Sequence, residues 1–470
     1  MNPVIVWFRR NLRLIDNAAL IAAAETGQPI IPVYIIDEQD SATASRWWLH
    51  QSLCSLSESL GDQGGDLLIR AGDPCKVLSE IAAKTSATAV FYSRRYEAVS
   101  RQQEDDLSAS LDDNLEIHAY DDGLLHPPNS IQTQTGTRYK VFTPFWRAAT
   151  AIGDPPSPRP MPTAMKFTSE GLATPAVTTF GLLDLAKDRG FALENSWTPG
   201  EAAALDHLDE LAPIVNGYHL GRDRPDLEET TQLSPYLHFG ELSVRQVFAA
   251  VYGFGQESLT DGAAALLRQL YWRDFSSYLL YHFPDLPVRP LRPEFEKFSW
   301  SESDSDLAAW QRGETGYPIV DAGMRQLLAT GWMHNRVRMI VASFLTKDLL
   351  IPWQAGAAWF LDTLVDADLA NNSASWQWVA GCGTDAAPFF RIFNPTTQGQ
   401  KFDPHGHYVR KWVPELHMLT GKAIHEPWKT LPEPMKAQYA APMVDHAEAR
   451  QRALEAYRSV KGTRTSKLAP

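Results

Sequence analysis

Asp366-Ala-Asp-Leu-Ala-Asn-Asn-Ser-Ala-Ser-Trp-Gln-Trp378 places two carboxylates, a pair of asparagines and two tryptophans within thirteen residues of helical character. At about 3.6 residues per turn, Asn372 and Trp376 are i,i+4 neighbours on one face. Trp376 and Trp378, two apart, must point in different directions, so that one serves the interior and the other a cavity. Standing alone, Asp366 and Asp368 read as a helix-end charge and an exposed charge.

Upstream, Trp332-Met-His-Asn-Arg-Val-Arg-Met339 opens a helix that continues through Ile-Val-Ala-Ser-Phe-Leu345. Asn335, Arg336 and Met339 share a face, whereas Arg338 lies about 200° from Arg336. Two arginines so placed serve two different surfaces. The apolar run that follows points to burial, where a charge needs a partner, and Asp366 is the candidate for Arg338. In Leu266-Leu-Arg-Gln-Leu-Tyr-Trp-Arg-Asp-Phe275 the same spacing puts Gln269, Trp272 and Arg273 on one face, so that polar, aromatic and cationic groups converge on one wall.

Working outward, the first part of the chain has a different period. Val4–Phe8, Pro29–Ile36, Asp66–Arg70, Ala89–Tyr92 and Glu116–Tyr120 read as short buried strands, with helical patterns around 17–26, 46–60, 74–84 and 100–111. That alternation predicts a doubly wound parallel sheet, a Rossmann-like α/β domain over residues 1–127. No G-x-G-x-x-G follows the first strand, so a conventional dinucleotide site is not signalled there. The proline-rich run Gly153–Pro162 marks residues 128–200 as an inter-domain linker. From there strands vanish, and residues 201–470 read as a larger, all-helical domain in which Trp310, Trp332 and Trp359 are expected to pack the core.

Composition agrees with two cores, since 470 residues with 44% hydrophobic content exceed one ordinary domain. Cys54, Cys75 and Cys382 form no CxxC pair and no disulfide framework, which points to a reducing cytoplasm, and three cysteines fall short of the four thiolates of an ordinary iron–sulfur cluster. No apolar run reaches the roughly 18 residues of a membrane span, and the start leads into a strand instead of a signal peptide; the expectation is a soluble, cytoplasmic protein with no metal. The net charge of −13 argues against non-specific coating of nucleic acid, so a DNA site must be a local basic patch.

The three stretches above, together with Thr230-Thr-Gln-Leu-Ser-Pro235, Gly316–Arg325, Gly383–Gln398 and the opening Val6-Trp-Phe-Arg-Arg-Asn-Leu-Arg-Leu-Ile-Asp-Asn17, closely resemble the DNA photolyase/cryptochrome family. The likeness runs over nearly the whole chain and is greatest to class I cyclobutane pyrimidine dimer enzymes. It implies a flavoprotein lyase that repairs UV-damaged DNA with blue light, using non-covalent FAD. Aligned with family FAD positions are Tyr218, Thr230, Thr231, Gln232, Leu233, Ser234, Arg273, Arg338, Asp366, Ala367, Asp368 and Asn372, the last matching the asparagine near flavin N5. Hydroxyls and backbone N–H groups before Pro235 suit a pyrophosphate, although a Ser/Thr start by itself is a common helix cap.

The resemblance also assigns an electron relay, Trp376, Trp353 and Trp300, from flavin to surface. Trp272 and Trp378 match the aromatic wall on which a flipped-out dimer stacks, and Asn335, Arg336 and Met339 match the other wall. Arg222 and Gln398 complete the implied DNA contacts; Arg222, Arg224, Arg391, Lys401, Arg410 and Lys411 each read singly as an ordinary surface charge, and as a group would supply the local basic patch for phosphates. Gln269 stands where cyclobutane-type enzymes usually have Glu and animal (6-4) enzymes have Gln. Met339 and the motif around His334 resemble the cyclobutane enzymes, which weakens the (6-4) photolyase as an alternative; the other alternative is a cryptochrome-like photoreceptor. The first domain resembles an antenna domain for a second chromophore, a folate, deazaflavin or flavin, with Arg9, Arg46, Trp48 and Glu97 as candidate contacts beside their reading as sheet packing. The protein is expected to act as a monomer with no protein partner.

Overall fold

The computed structural model describes residues 1–37, 42–110, 115–133, 135–188, 192–254, 259–385, 391–432 and 438–462. The chain divides into two compact units, the first Met1–His219, Thr231–Pro284 and Val365–Ala367, the second Leu220–Thr230, Asp285–Leu364 and Asp368–Pro470.

In the first unit, β1 (Val4–Phe8), β2 (Ile30–Ile36), β3 (Leu68–Ala71), β4 (Ala89–Ser93) and β5 (Glu116–Tyr120) form one parallel sheet in the order β3-β2-β1-β4-β5. The helices α1 (Ala18–Glu25), α2 (Thr43–Asp62), α3 (Pro74–Thr85) and α4 (Ala98–Ser110) make the crossovers. Strands covered on both faces cannot alternate, and β1, β2 and β4 are buried at every position. The doubly wound α/β fold is therefore as expected. The fifth strand departs from the expectation of burial: at the sheet edge, Glu116 is exposed and the next four residues are only half-buried. Its polar Glu116 and His118 fit a strand with one unpaired side.

The opening motif folds the chain at the end of β1. Asn11 accepts from the Arg9 N–H at 2.7 Å, and its amide reaches Ser93 Oγ (3.0 Å) and Asn17 Oδ1 (3.2 Å). Asn17 in turn caps α1 through Leu20 N–H. This polar network takes the place of a glycine-rich turn.

The helix Asp261–His282 carries a buried carboxylate, Asp274, whose Oδ2 accepts from Leu125 N–H (2.9 Å) and His126 N–H (3.3 Å). Burial pushes its pKa up to about 7, against the pull of Arg273 and of those two N–H donors. A carboxyl that holds its proton more tightly folded than unfolded contributes stability that is full below its unfolded pKa near about 4 and is lost as pH rises through about 7. Asp274→Asn removes this component. The stability of the variant relative to the parent is expected to rise between pH 5 and 8 in thermal melts; a difference that stays constant over that range contradicts the assignment.

The second unit contains helices joined by irregular segments and no strand among its described residues. The Gly316–Arg325 motif is a folding device: the buried Asp321 carboxylate accepts from Thr315 N–H (2.7 Å), Thr315 Oγ1 (2.6 Å), Gly316 N–H (3.1 Å) and Tyr439 Oη (2.5 Å). The helix expected from Trp332 begins at Asn335, with His334 as its cap, its Nδ1 accepting from Arg336 N–H at 3.1 Å. It runs to Ser343 and passes into a π-turn at Phe344–Asp348. Among the described residues, no helix is long and apolar enough to cross a membrane.

Candidate functional site

In the second unit the stretch forms a helix, Leu369–Ala380, preceded by Asp368, whereas Asp366 belongs to the first unit. Asp368 is its N-cap, accepting from Asn371 N–H at 2.7 Å, so one of the two acidic residues has a local folding role. Asn372 is nearly buried and donates its amide N–H to Ala357 O at 3.0 Å, which leaves its side-chain oxygen as the group to accept a proton donor. The two tryptophans diverge as their spacing requires: Trp376 is 2% exposed, while Trp378 is half-buried.

Trp376 sits in an aromatic and glycine-lined niche. Phe360 lies edge-on at 5.0 Å between centroids and Trp310 at 6.2 Å. Gly356, on the helix Trp353–Thr363, is packed so closely under the indole that an added methyl would collide with it. Trp353 opens that helix and is 1% exposed. Ser301 N–H donates to Leu350 O at 2.7 Å, bringing the segment of half-buried Trp300 alongside the residues that lead into Trp353. Trp376 and Trp353 are thus buried and Trp300 is half-buried. Of the tryptophans expected in the core, Trp310 is fully buried with Nε1 donating to Val341 O, and Trp332 is buried. Trp359 is only half-buried, a departure from that expectation.

The two arginines of the next helix do serve different partners. Arg338 Nε donates to Met333 O at 2.7 Å, whereas Arg336 Nη2 lies 2.8 Å from Asp223 with its guanidinium over the Phe402 ring at 4.4 Å. Asn335 is exposed, and Met339, Arg222 and Gln398 are half-buried. Arg224 is forked onto Asp226 at 2.7 and 2.5 Å, so its charge is already paired, while Arg391, Lys401 and Lys411 are exposed. Arg410 donates to Leu419 O at 3.1 Å. Burial pulls the pKa of His334 down to about 4, which makes it a neutral capping group near neutral pH.

The first unit holds the remaining candidates. Along Asp261–His282, Gln269 Nε2 donates to Ala265 O at 3.0 Å, Trp272 is half-buried, and Arg273 Nη1 donates to Gly123 O at 2.7 Å. Ser234 Oγ donates to Asp366 Oδ2 at 2.6 Å, joining two stretches 132 residues apart in sequence. His207 Nε2 meets the carbonyl of Thr231, and Gln232 has φ +48°, a left-handed backbone that costs a side-chain-bearing residue about 1–2 kcal/mol. Thr230 of the second unit and Thr231 are half-buried, as are Ala367 and Asp368; Leu233 and Tyr218 are buried. Of the antenna candidates, Trp48 is fully buried with Nε1 on Glu241 Oε2 at 3.0 Å, which identifies it as a packing residue. Arg9 pairs with Glu104 and lies over Trp7, Glu97 pairs with Arg95 at 3.0 Å, and Arg46 Nη2 is 3.4 Å from Gly181 O.

A 45% identity over 98% of this chain and 98% of the relative links it to the deoxyribodipyrimidine photo-lyase of Agrobacterium fabrum. The chain belongs to the DNA photolyase/cryptochrome family. Family models described as DNA photolyase and as the FAD binding domain of DNA photolyase match residues 4–163 and 266–459. A solved bacterial class III photolyase from Agrobacterium tumefaciens superposes with TM-score 0.93 at 45% identity, covering 98% of each chain. An archaeal photolyase from Sulfolobus tokodaii, solved with two FAD molecules, does so at 0.82 and 30% identity, covering 97% of this chain and all of its own.

This photolyase-family chain has an FAD-binding domain, and the donor set suits the cofactor: hydroxyls, guanidinium groups, carboxylates and an amide with a free acceptor oxygen. Sequence reasoning missed Phe360 and Gly356 beside Trp376, and took Trp310 only for packing. Gly356 and Phe360 share a face of the helix Trp353–Thr363, but periodicity within one helix does not say which residue of another helix that face meets. Gly356→Ala is expected to displace the Trp376 ring, destabilise the fold by about 1–3 kcal/mol and slow flavin photoreduction. Melting curves and reduction under blue light check it; normal photoreduction in the folded variant contradicts the importance of that packing.

Proposed function

We propose that this chain is a light-driven cyclobutane pyrimidine dimer photolyase. The observation that carries the reading is full-length similarity to a deoxyribodipyrimidine photo-lyase, with the buried Asn372–Trp376 helix in the corresponding domain. Reduced FAD, when bound and excited by blue light, supplies the electron that splits the cyclobutane ring and takes it back afterward. The chain's own residues bind, orient and resupply. Tyr218, Thr230, Thr231, Gln232, Leu233, Ser234, Arg273, Arg338, Asp366, Ala367 and Asp368 hold the cofactor; the Asn372 oxygen accepts from its ring N–H. Trp272 and Trp378 offer aromatic faces to the flipped dimer, Gln269 donates to a base carbonyl, and Asn335, Arg336, Met339, Arg222 and Gln398 position the damaged strand. Trp376, Trp353 and Trp300 pass an electron inward when the cofactor is oxidised.

By the likeness to the Agrobacterium structure, the subclass we assign is class III in place of class I. Residues 1–127 serve as antenna domain, 128–200 as linker and 201–470 as the FAD- and DNA-binding domain. The antenna is a folate, deazaflavin or flavin, the Sulfolobus enzyme with two FAD molecules being one precedent. The protein works as a cytoplasmic monomer with no protein partner. Gln269 is the strongest point in favour of a (6-4) photolyase. A photolyase-deficient bacterium expressing this chain is expected to survive UV better under blue light than in darkness. Equal survival, with flavin-loaded protein present in the cells, contradicts repair and favours a photoreceptor.

A further inference from the structure

The segment Tyr139-Lys-Val-Phe-Thr-Pro-Phe-Trp146 lies within residues 4–163, which the DNA photolyase family model matches, and has no role assigned above. In the structure it begins α5 (Phe142–Ile152), and the Phe142 ring lies flat against Trp272, centroids 3.7 Å apart and planes 6° from parallel. Phe142 is 1% exposed, while Trp272 is half-buried, so one indole face is covered by Phe142 and the exposure belongs to the rest of the ring. Phe275 stands edge-on to both rings, at 5.9 Å from Trp272 and 5.8 Å from Phe142. Phe145, one turn on, packs against Phe275 and Tyr278 and fixes α5 on the helix that bears Trp272. Arg268 sets its guanidinium over Phe142 at 5.4 Å and Trp146 at 5.1 Å.

We propose that Phe142 is a positioning residue for damaged DNA: by stacking behind Trp272 it holds the indole upright and leaves only the opposite face for the flipped base. The near-parallel pair is held in place by the packing around it, Phe275 edge-on to both rings and Phe145 behind them. A half-buried Trp without this backing would tilt toward the space behind it, and the ordering of the ring would have to be supplied by the substrate on binding. The result is a continuous stack of Phe142, Trp272 and base, with Phe142 touching neither substrate nor cofactor. This rests on the reading of Trp272 as a dimer-stacking residue.

The test measures binding of the flavin-loaded full chain to oligonucleotides with and without one cyclobutane dimer, for the parent, Phe142→Leu, Trp272→Ala and the double variant. Phe142→Leu is expected to weaken dimer binding about three- to tenfold while leaving undamaged-DNA affinity and repair yield of bound dimer unchanged. In the Trp272→Ala background the same change is expected to cost nothing further. Equal loss on damaged and undamaged DNA, equal loss in both backgrounds, or no loss in Phe142→Leu overturns the proposal. Should Phe142→Leu lose its flavin, Phe142→Tyr, which keeps the ring, is expected to retain parental dimer preference, and its loss of that preference overturns the proposal as well. A parent with no preference for the dimer removes the underlying reading and this inference with it. A Trp272→Ala variant with parental preference removes Trp272 as the stacking residue and the inference alone.

Discussion

Trp376→Phe is expected to abolish photoreduction of oxidised flavin, while chemically reduced protein is expected to repair dimers at a rate within about twofold of the parent. The two activities separate because repair uses an electron already on the cofactor, whereas refilling an oxidised cofactor needs a donor. Trp376 is buried on the helix that carries Asn372, and Phe360 and Trp310 pack its ring edge-on. A phenyl ring fills most of the same niche beside Gly356, so the fold survives, but benzene-type rings are far harder to oxidise than indole. Steady-state absorption under blue light, with an external reductant present, reads the first activity, and single-turnover repair reads the second. Undiminished photoreduction in the variant would place the first donor elsewhere, and Trp310, one ring away, would be the next residue to replace.

Gln269→Ala is expected to lower the quantum yield of cyclobutane dimer repair about tenfold, and more than Gln269→Glu does, corresponding to roughly 1.4 kcal/mol of lost stabilisation of charge arriving on the base. One amide hydrogen of Gln269 is held by Ala265 O at 3.0 Å on its own helix, which fixes the side chain and leaves the second hydrogen for a substrate carbonyl. Alanine offers neither anchor nor donor. Glutamate donates only when protonated, so the yield of that variant is expected to rise as pH falls while the parent's stays flat. Repair by Gln269→Ala at the parental yield under saturating DNA makes Gln269 a spectator.

The sheet was legible because a strand buried on both faces must be apolar throughout, and Val4–Phe8 and Ile30–Ile36 are. The edge position of Glu116–Tyr120 was legible in its Glu and His but was read as burial. On the helices, periodicity separated Trp376 from Trp378 and Arg336 from Arg338, and the structure gives each pair different surroundings. Periodicity sees one element at a time. It gave no hint that Phe142 stacks on Trp272 across 130 positions, that Ser234 meets Asp366 across 132, or that Gly356 makes room for Trp376. The helices expected from Asp366 and from Trp332 each start three residues later, at Leu369 and Asn335, because Asp368 and His334 act as caps, and capping depends on backbone geometry that composition alone leaves open.

The most direct measurement illuminates purified, flavin-reduced protein with two oligonucleotides, one holding a cyclobutane thymine dimer and the other a (6-4) photoproduct, and follows recovery of the intact bases by chromatography. Restoration of the cyclobutane dimer in light, none in darkness and none of the (6-4) lesion is the expected outcome. Restoration of the (6-4) lesion alone, or of neither, would contradict it.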